Sequence, residues 1–281
     1  MASPHQILAT ARDDQFKLAG CGLFAQVLVV AKTDVAIKIA DEPGEADAIE
    51  KRIYERLGPH PYILRCFGEC DSIVGRGLAL QYLPGGTLAR NIALGRFPAQ
   101  RTDWPAQCVE AIRFIHSKGV IHCDVSANNF LIQNDGSLAL ADFCGSILDG
   151  SDALVSTSTR YTRPMSLEER LLNLTEKDDI FALGTVLYEI VAGHFLYFDK
   201  TDGEIYTHFQ KREFPDITSL GSLRFVVEKC WTDQYSNSEE IKLDLDSQVA
   251  SARRSFIEYL GLSFGMVLIS IAIRRTGVTV L

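Results

Sequence analysis

Three side chains with hard oxygen donors frame the centre of the chain: Asp124, Asn129 and Asp142. Asn129 and Asp142 bracket two short apolar runs, Phe130 to Ile132 and Leu138 to Leu140, which flank Asp135-Gly136. Glycine supplies the positive φ that a tight hairpin turn needs, so this pattern predicts a β-hairpin. A two-residue turn at Asp135-Gly136 would set Asn129 opposite Asp142, with Cβ atoms roughly 5 Å apart. An amide oxygen and a carboxylate that close at the open end of a hairpin can share one or two hard cations, which prefer oxygen ligands. Asp124 would stand on the loop entering the hairpin. The same carboxylates would also suit a solvated loop end, where acidic residues near turns commonly lie.

The elements upstream carry a second constellation. In Val35-Ala36-Ile37-Lys38-Ile39, strand alternation puts Val35, Ile37 and Ile39 on one face and leaves Ala36 with Lys38 on the other. The next segment repeats Ala46, Ile49, Ile53 and Leu57 at helical spacing before Gly58-Pro59 ends it. Glu50 falls on that apolar stripe. An ionised carboxylate buried there without a partner would cost several kcal/mol, and Lys38 is the candidate partner; the competing expectation is a helix-edge glutamate reaching water. Ahead of both, Gly20, Gly22 and Ala25 interrupt two strand-like segments, and small residues there let backbone amides approach an anion.

Taken together, these stretches resemble those of eukaryotic-type protein kinases. His122-Cys123-Asp124-Val125-Ser126-Ala127-Asn128-Asn129 is similar to the family's H-R-D-L-x-x-x-N, Asp142-Phe143-Cys144 to D-F-G, and Gly20 to Val27 to G-x-G-x-x-G-x-V. Val35-Ala36-Ile37-Lys38 matches V-A-I-K at every position. The resemblance implies an α+β, two-lobed fold, with a small β-rich N-lobe holding one main helix and a larger, mainly helical C-lobe. On the chain this divides as lead-in 1–12, N-lobe 13–83, C-lobe 84–245 and a tail over 246–281. It also implies Asp124 as catalytic base, Asn129 and Asp142 as magnesium ligands, and a Lys38–Glu50 ion pair. The nucleotide pocket would be formed by Gly20, Gly22, Ala25, Val27, Ala36, Lys38, Leu80, Gln81, Leu83, Leu131 and Asp142. Val27 would roof the adenine, Leu80 would gate the pocket behind it, and the backbone of Gln81 and Leu83 would bond the ring. ATP and Mg2+ are then the expected cofactors and a protein hydroxyl the acceptor, serine or threonine ahead of tyrosine. An ATP-binding pseudokinase acting as a scaffold is the alternative, and a small-molecule phosphotransferase on the same fold a third reading.

Further along, residues 146–163 form a hydroxyl-rich loop that would be the activation segment, closed by Tyr161 and Pro164. The helix from Asp179 to Ile190 is apolar on nearly all sides, as a helix at the centre of a lobe must be, and Asp179 would brace the catalytic loop. Five departures from the family pattern lie close to the chemistry. Cys123 replaces an arginine that would receive a phosphate on the activation segment, which makes the chain a non-RD variant. Ser126 and Asn128 stand where serine/threonine and tyrosine kinases, respectively, carry a cation. Cys144 replaces a glycine, and its Cβ penalises positive φ. Arg163-Pro164-Met165 replaces A-P-E, and the arginine expected after Cys230-Trp231 to pair with that glutamate is absent too.

Composition sets the outer bounds. With 281 residues, 47% of them hydrophobic and 23% charged, the chain can bury the core of one large domain or two lobes sharing a cleft. A formal charge of -8 argues against general affinity for nucleic acid. Seven scattered cysteines without paired CxxC spacing read as reduced thiols, and the opening residues carry no apolar run of secretory length, so a cytoplasmic protein is expected. Residues 259–273 carry no charge; as a helix they fall short of the ~30 Å hydrocarbon core, which keeps a marginal tail anchor as the alternative to a soluble chain.

Overall fold

The computed structural model describes residues 2–248, apart from 23–24, 43, 98, 152, 154–156 and 166–173. Its N-terminal part is a five-stranded antiparallel sheet of β1 (Phe16–Cys21), β2 (Ala25–Val30), β3 (Val35–Ala40), β4 (Cys66–Ser72) and β5 (Gly75–Gln81), in the order β1-β2-β3-β5-β4. The alternation in β3 sorts its side chains as expected. Val35 and Ile37 join Leu8, Val30, Cys70 and Ala79 in a small core on one face, while Ala36 and Lys38 line the cleft on the other.

Leu8 comes from the lead-in, which folds as helix α1 (Pro4–Thr10). Ser3 and Gln6 close a capping box at its start: the Gln6 amide donates to Ser3 Oγ (3.2 Å) and the Ser3 amide to Gln6 Oε1 (2.8 Å). Proline at the first helical position gives up an N–H that would have had no intrahelical partner. Helix α2 (Glu45–Leu57) packs against the opposite face of the sheet, burying Ile49, Glu50, Ile53, Tyr54 and Leu57.

The second lobe is mainly helical, with α3 (Leu88–Ala93), α4 (Trp104–Ser117), α5 (Glu176–Ala192), α6 (Asp202–Gln210), α7 (Leu223–Trp231) and α8 (238–248). Every residue of α5 from Asp179 to Ile190 is buried. Trp104, Cys108, Ile112 and Ile115 of α4 are wholly buried against it. One continuous core runs from Ile49 and Ile53 of the first lobe through Phe130 and Phe143 to α5 and α7. The removal of each large apolar side chain from water contributes about 1.5–3 kcal/mol, and here that burial also fixes the lobes on either side of the cleft.

The hairpin at the cleft floor forms, but with its register shifted by one residue from the expected one. Strands β7 (Phe130–Ile132) and β8 (Leu138–Leu140) pair Phe130 with Leu140, Leu131 with Ala139 and Ile132 with Leu138. The turn is therefore three residues long, Asn134-Asp135-Gly136, with Gly136 left-handed at φ 85° and its amide donating to the Gln133 carbonyl at 3.0 Å. A three-residue loop of this kind puts its glycine at the left-handed position rather than in a two-residue turn. Two contacts hold it there. Asp135 Oδ1 accepts from the Ser137 amide and hydroxyl (2.9 and 2.6 Å), and Trp104 Nε1 donates to the Gly136 carbonyl (2.8 Å). As a result Asn129 faces Ala141, whose amide donates to the Asn129 carbonyl at 2.8 Å. Asp142 lies just beyond the ladder with φ 66°.

Strand β6 (Val120–Ile121) pairs with β9 (Ile147–Leu148), which joins the start of the 146–163 segment to the strand entering the loop that carries Asp124. Its far end turns through a short 3-10 helix, Thr159–Tyr161. All seven cysteines are free thiols. Among the described residues no helix is long and apolar enough to cross a membrane; the uncharged stretch 259–273 lies outside them.

Candidate active site

Lys38 is the hub of the cleft. Its Nζ lies 2.7 Å from Glu50 Oε2 and 2.6 Å from Asp142 Oδ1, and the Lys38 and Glu50 side chains are only 11% and 1% exposed. Burial alone would lower the lysine, but the two carboxylates outweigh it and hold the ammonium above its ordinary range. For Glu50 burial dominates and pushes the carboxyl upward, against Lys38 and the Phe143 amide. Burial also raises Asp142, but Lys38 outweighs it and leaves that carboxyl below its usual value. The other Glu50 oxygen accepts from the Phe143 amide at 3.2 Å. One glutamate on α2 thus ties β3 to the segment after Asp142, and Phe143 fills the gap between Tyr54 and His122 at centroid distances of 5.2 and 5.1 Å.

The loop carrying Asp124 is held from beneath by Asp179, whose carboxylate accepts from the His122 amide (2.7 Å) and the Cys123 amide (2.9 Å). Cys123 is buried with φ 64°, so those two bonds hold a backbone that a non-glycine residue seldom adopts. His122 Nε2 lies 3.1 Å from the Ala141 carbonyl. That contact makes Nε2 the donor and leaves Nδ1 to accept from the Asp124 amide at 3.3 Å. Asn129 Nδ2 donates to the Asp124 carbonyl (2.7 Å) and to its Oδ2 (2.9 Å). Burial raises the Asp124 carboxyl, opposed by His122, Asn129 and the Thr157 hydroxyl.

A cavity of about 1050 Å³ connects these groups. Every residue the sequence assigns to the site lines it: Asp124, Asn129, Asp142, Lys38 and Glu50, with Gly20, Gly22, Ala25, Val27, Ala36, Leu80, Gln81, Leu83 and Leu131. In the segment joining the lobes, the Gln81 and Tyr82 amides are committed to the Arg65 and Asp34 carbonyls (2.9 and 2.7 Å). The Leu83 amide donates to no protein group among the described residues.

The departures have definite places too. Ser126 is buried at the cleft wall. Cys144 keeps a negative φ, and Gly145 takes the left-handed turn at 77° instead, so the cysteine fits this arrangement without backbone strain. Arg163 meets Asp178 at 3.1 Å and Asp233 at 3.9 Å, with Lys177 3.1 Å from Asp233. A partly exposed ion cluster therefore anchors the end of the segment where the expected buried pair is absent.

The donor set suits magnesium. Asn129 commits its amide nitrogen to Asp124, which turns its oxygen the other way, and the Asp142 carboxylate lines the same cavity. Two oxygen donors would leave the remaining positions of such an ion to water and substrate phosphates.

Two supporting side chains escaped the sequence reading. His116 lies 3.0 Å from Asp179 Oδ2 and 3.0 Å from Ser238 Oγ, and buried Glu189 accepts from Tyr161 Oη (2.8 Å) and the Leu196 amide (3.1 Å). The signal that exposed Glu50 was available for both. His116 follows Ile112 by one helical turn, and Glu189 interrupts an otherwise apolar helix.

Residues 14–259 match the family model described as protein kinase domain, a match that runs past Leu245, where the motif resemblance stops. The chain is 29% identical over 215 residues to CBL-interacting serine/threonine-protein kinase 18 of Arabidopsis thaliana, covering 70% of this chain and 41% of that protein. It is 30% identical over 224 residues to CBL-interacting serine/threonine-protein kinase 8 of the same plant, covering 72% and 49%. Aurora kinase A-B of Xenopus laevis is 35% identical over 159 residues, covering 55% and 38%. The chain thus spans less than half the length of these relatives.

Proposed function

The chain belongs to the protein kinase family, and from that premise we propose that it transfers the γ-phosphoryl group of ATP to a protein hydroxyl, serine or threonine ahead of tyrosine. The observation that carries this reading is Lys38 Nζ set between Glu50 and Asp142, in one cavity with Asp124 and Asn129. A lysine held charged there would pair with nucleotide phosphates, and the Leu83 amide, just beyond β5, would donate to the purine edge. Asp124, pushed up by burial and oriented by Asn129, suits a base that takes the acceptor's proton as the oxygen attacks. Magnesium at Asn129 and Asp142 would neutralise phosphate charge. Relatives named as serine/threonine-protein kinases support the choice of acceptor. Free thiols throughout and a net charge of -8 fit a cytoplasmic protein acting on proteins rather than on nucleic acid.

A pseudokinase scaffold is the second reading, favoured by one observation: a buried, neutral Ser126 stands where a cation would face the transferred group. Magnesium-dependent ATP turnover by the full chain, with and without generic Ser/Thr and Tyr peptides, separates the two. Nucleotide binding without turnover under any of these conditions would sink the enzyme reading.

A further inference from the structure

Among the described residues, the cations that line the cavity are Lys38, Arg90 and Arg163. Two of them are committed to carboxylates, Lys38 to Glu50 and Asp142 and Arg163 to Asp178. Arg90 is exposed; its amide donates to Thr87 Oγ1 at 3.1 Å, while its guanidinium meets no carboxylate and makes no hydrogen bond among the described residues. The side chain nonetheless has a defined place. It folds back over Gly86, where a Cβ would come within 3.6 Å of Arg90 Cδ and 4.0 Å of its Nη1, the direction in which helical side chains lean. The unpaired charge therefore lies against the segment joining the lobes, at the edge of the cavity.

The backbone that carries Arg90 is fixed to the loop that carries Asp124. The Ala89 amide donates to the Ala127 carbonyl at 2.8 Å, and Asn91 Nδ2 donates to the Gly85 and Thr87 carbonyls, each at 2.9 Å. Gly85 approaches the hairpin so closely that a Cβ there would fall 2.5 Å from the Ile132 carbonyl oxygen, so the start of α3 has no room to slide. The other polar side chains that stretches 86–90 and 125–128 present to the cavity are Thr87, Ser126 and Asn128, none of them charged. An anionic group arriving beside Arg90 thus meets one free positive charge and neutral side chains, with no carboxylate on these stretches to compete for the guanidinium or repel the newcomer.

We propose that Arg90 selects the substrate: the acceptor hydroxyl belongs to a peptide that carries an anionic side chain, carboxylate or phosphate, a few residues to one side of it. The inference rests on the phosphotransfer reading above and names its substrate class. Asp124 and Ala127 are three residues apart, at most about 11 Å, and the Ala89 bond brings α3 up to Ala127. An extended peptide rises about 3.3 Å per residue, so a separation of roughly two to four residues spans the way from Asp124 to Arg90. An anion at the acceptor position itself would face Asp124 and Asp142, which is why the charge has to stand off from the hydroxyl. A planar guanidinium pairs with a carboxylate or a phosphate through two parallel N–H···O bonds. With a net charge of -8 the protein as a whole does not attract an acidic peptide, so the preference depends on this one contact and is confined to particular positions.

The test is a peptide series with a central serine in a glycine-alanine background and a single aspartate, phosphoserine or arginine at each flanking position in turn, assayed with the full chain, magnesium and ATP. Aspartate or phosphoserine on one side of the acceptor should raise kcat/KM about 3–30-fold over the unsubstituted peptide, the span between an exposed ion pair and a charge-assisted hydrogen bond. Arginine at the same position should lower it. A gain with either anion supports the inference, and the larger gain tells phosphate from carboxylate. It should lie in KM rather than kcat, because Arg90 holds the peptide equally before and during transfer. Arg90→Ala should abolish the discrimination, Arg90→Lys should restore part of it, and Arg90→Glu should reverse it in favour of the arginine peptide, a reversal that a merely structural side chain would not produce. Peptide turnover without positional preference, or a preference that survives Arg90→Ala, overturns the inference and leaves the proposed activity standing. A KM for ATP that rises in Arg90→Ala while the peptide discrimination stays assigns the arginine to the nucleotide and overturns it too. No turnover of any peptide, with ATP bound, overturns both.

Discussion

The two walls of the cleft are built on different electrostatic principles. On the wall assigned to the nucleotide, charges compensate one another: Lys38 sits between Glu50 and Asp142, and each buried ion has an ionic partner. On the wall assigned to the acceptor, the carboxyl groups are held by hydrogen bonds from amides, a phenol and a histidine. Asp124 is held by Asn129, Asp179 by two backbone amides and His116, and Glu189 by a phenol and an amide. The acceptor wall also has neutral Cys123 and Ser126 at the positions where the kinase resemblance leads one to expect cations. Binding and transfer should therefore respond to different substitutions, because the first depends on the ionic hub and the second on a wall with little positive charge.

Asp124→Asn is the largest expected break between the two. Loss of a positioned general base costs about 10²–10⁴ in rate. Peptide turnover should fall by that amount, while the rise in melting temperature on adding ATP and magnesium persists. A shift abolished along with turnover would mean that the two walls are not separable.

Lys38→Met attacks the other wall and should be visible without any substrate. It strands Glu50, 1% exposed, as an uncompensated buried charge, which costs about 3–5 kcal/mol. The double variant Lys38→Met/Glu50→Leu should recover most of that loss in urea denaturation at neutral pH. Neither variant should retain the full ATP-induced melting shift, and Asp142→Asn should diminish it as well. Equal instability of the single and double variants would mean that the pair does not hold α2 in place.

Much of the nucleotide wall was legible because two periodicities meet there. Alternation in β3 aims Lys38 at the cleft and the α2 stripe buries Glu50, so their pairing follows from local pattern plus the cost of an unpaired charge. The hairpin was legible in existence but not in register. Its turn is fixed partly by Asp135 bonding Ser137, which is local, and partly by Trp104 reaching Gly136 from α4, which no short window reveals. The salt links of Arg163 have the same character, since Asp233 lies seventy positions away in sequence. Helix α1 was readable after all from Ser3, Pro4 and Gln6, but a seven-residue helix has little propensity of its own and is held by packing Leu8 under the sheet.

Ser126→Lys would sharpen the contrast by repairing the acceptor wall. A single preorganised electrostatic contact to the transferred group is worth about 10²–10³ in rate in other enzymes. Turnover of a Ser/Thr peptide should rise toward that range, with ATP affinity little changed, because the cation acts on charge that develops during transfer. Ser126 is buried, so the longer side chain has to run along the cavity rather than into the core, and an unchanged melting temperature would check that it does. If wild type and Ser126→Lys both stay at the Asp124→Asn background while ATP binds, the pseudokinase reading stands.

The smallest expected effect lies in the pH dependence of stability, where the two walls should differ in sign. Burial pushes the Glu189 carboxyl up to about 7, against the pull of Tyr161 and the Leu196 amide, whereas Lys38 keeps Asp142 below its ordinary value. For Glu189 the folded state keeps its proton at pH values where the unfolded chain, near the ordinary glutamate value of 4.5, has lost it. Folding then binds the extra proton between 4.5 and 7, so this contribution is fully present below 4.5, declines as pH rises through that window and levels off above 7. The decline is at most about 1.4 kcal/mol per pH unit. Asp142 works the other way, adding stability that is lost on acidification through its depressed value. Glu189→Gln keeps an acceptor for the Leu196 amide and removes the titration, so it should flatten the fall in unfolding free energy from mildly acidic to neutral pH, whereas Asp142→Asn should leave that fall in place. A wild-type profile as flat as that of Glu189→Gln across the window would mean that Glu189 is already ionised in the fold, and that the acceptor wall holds an unpaired buried charge rather than a protonated one.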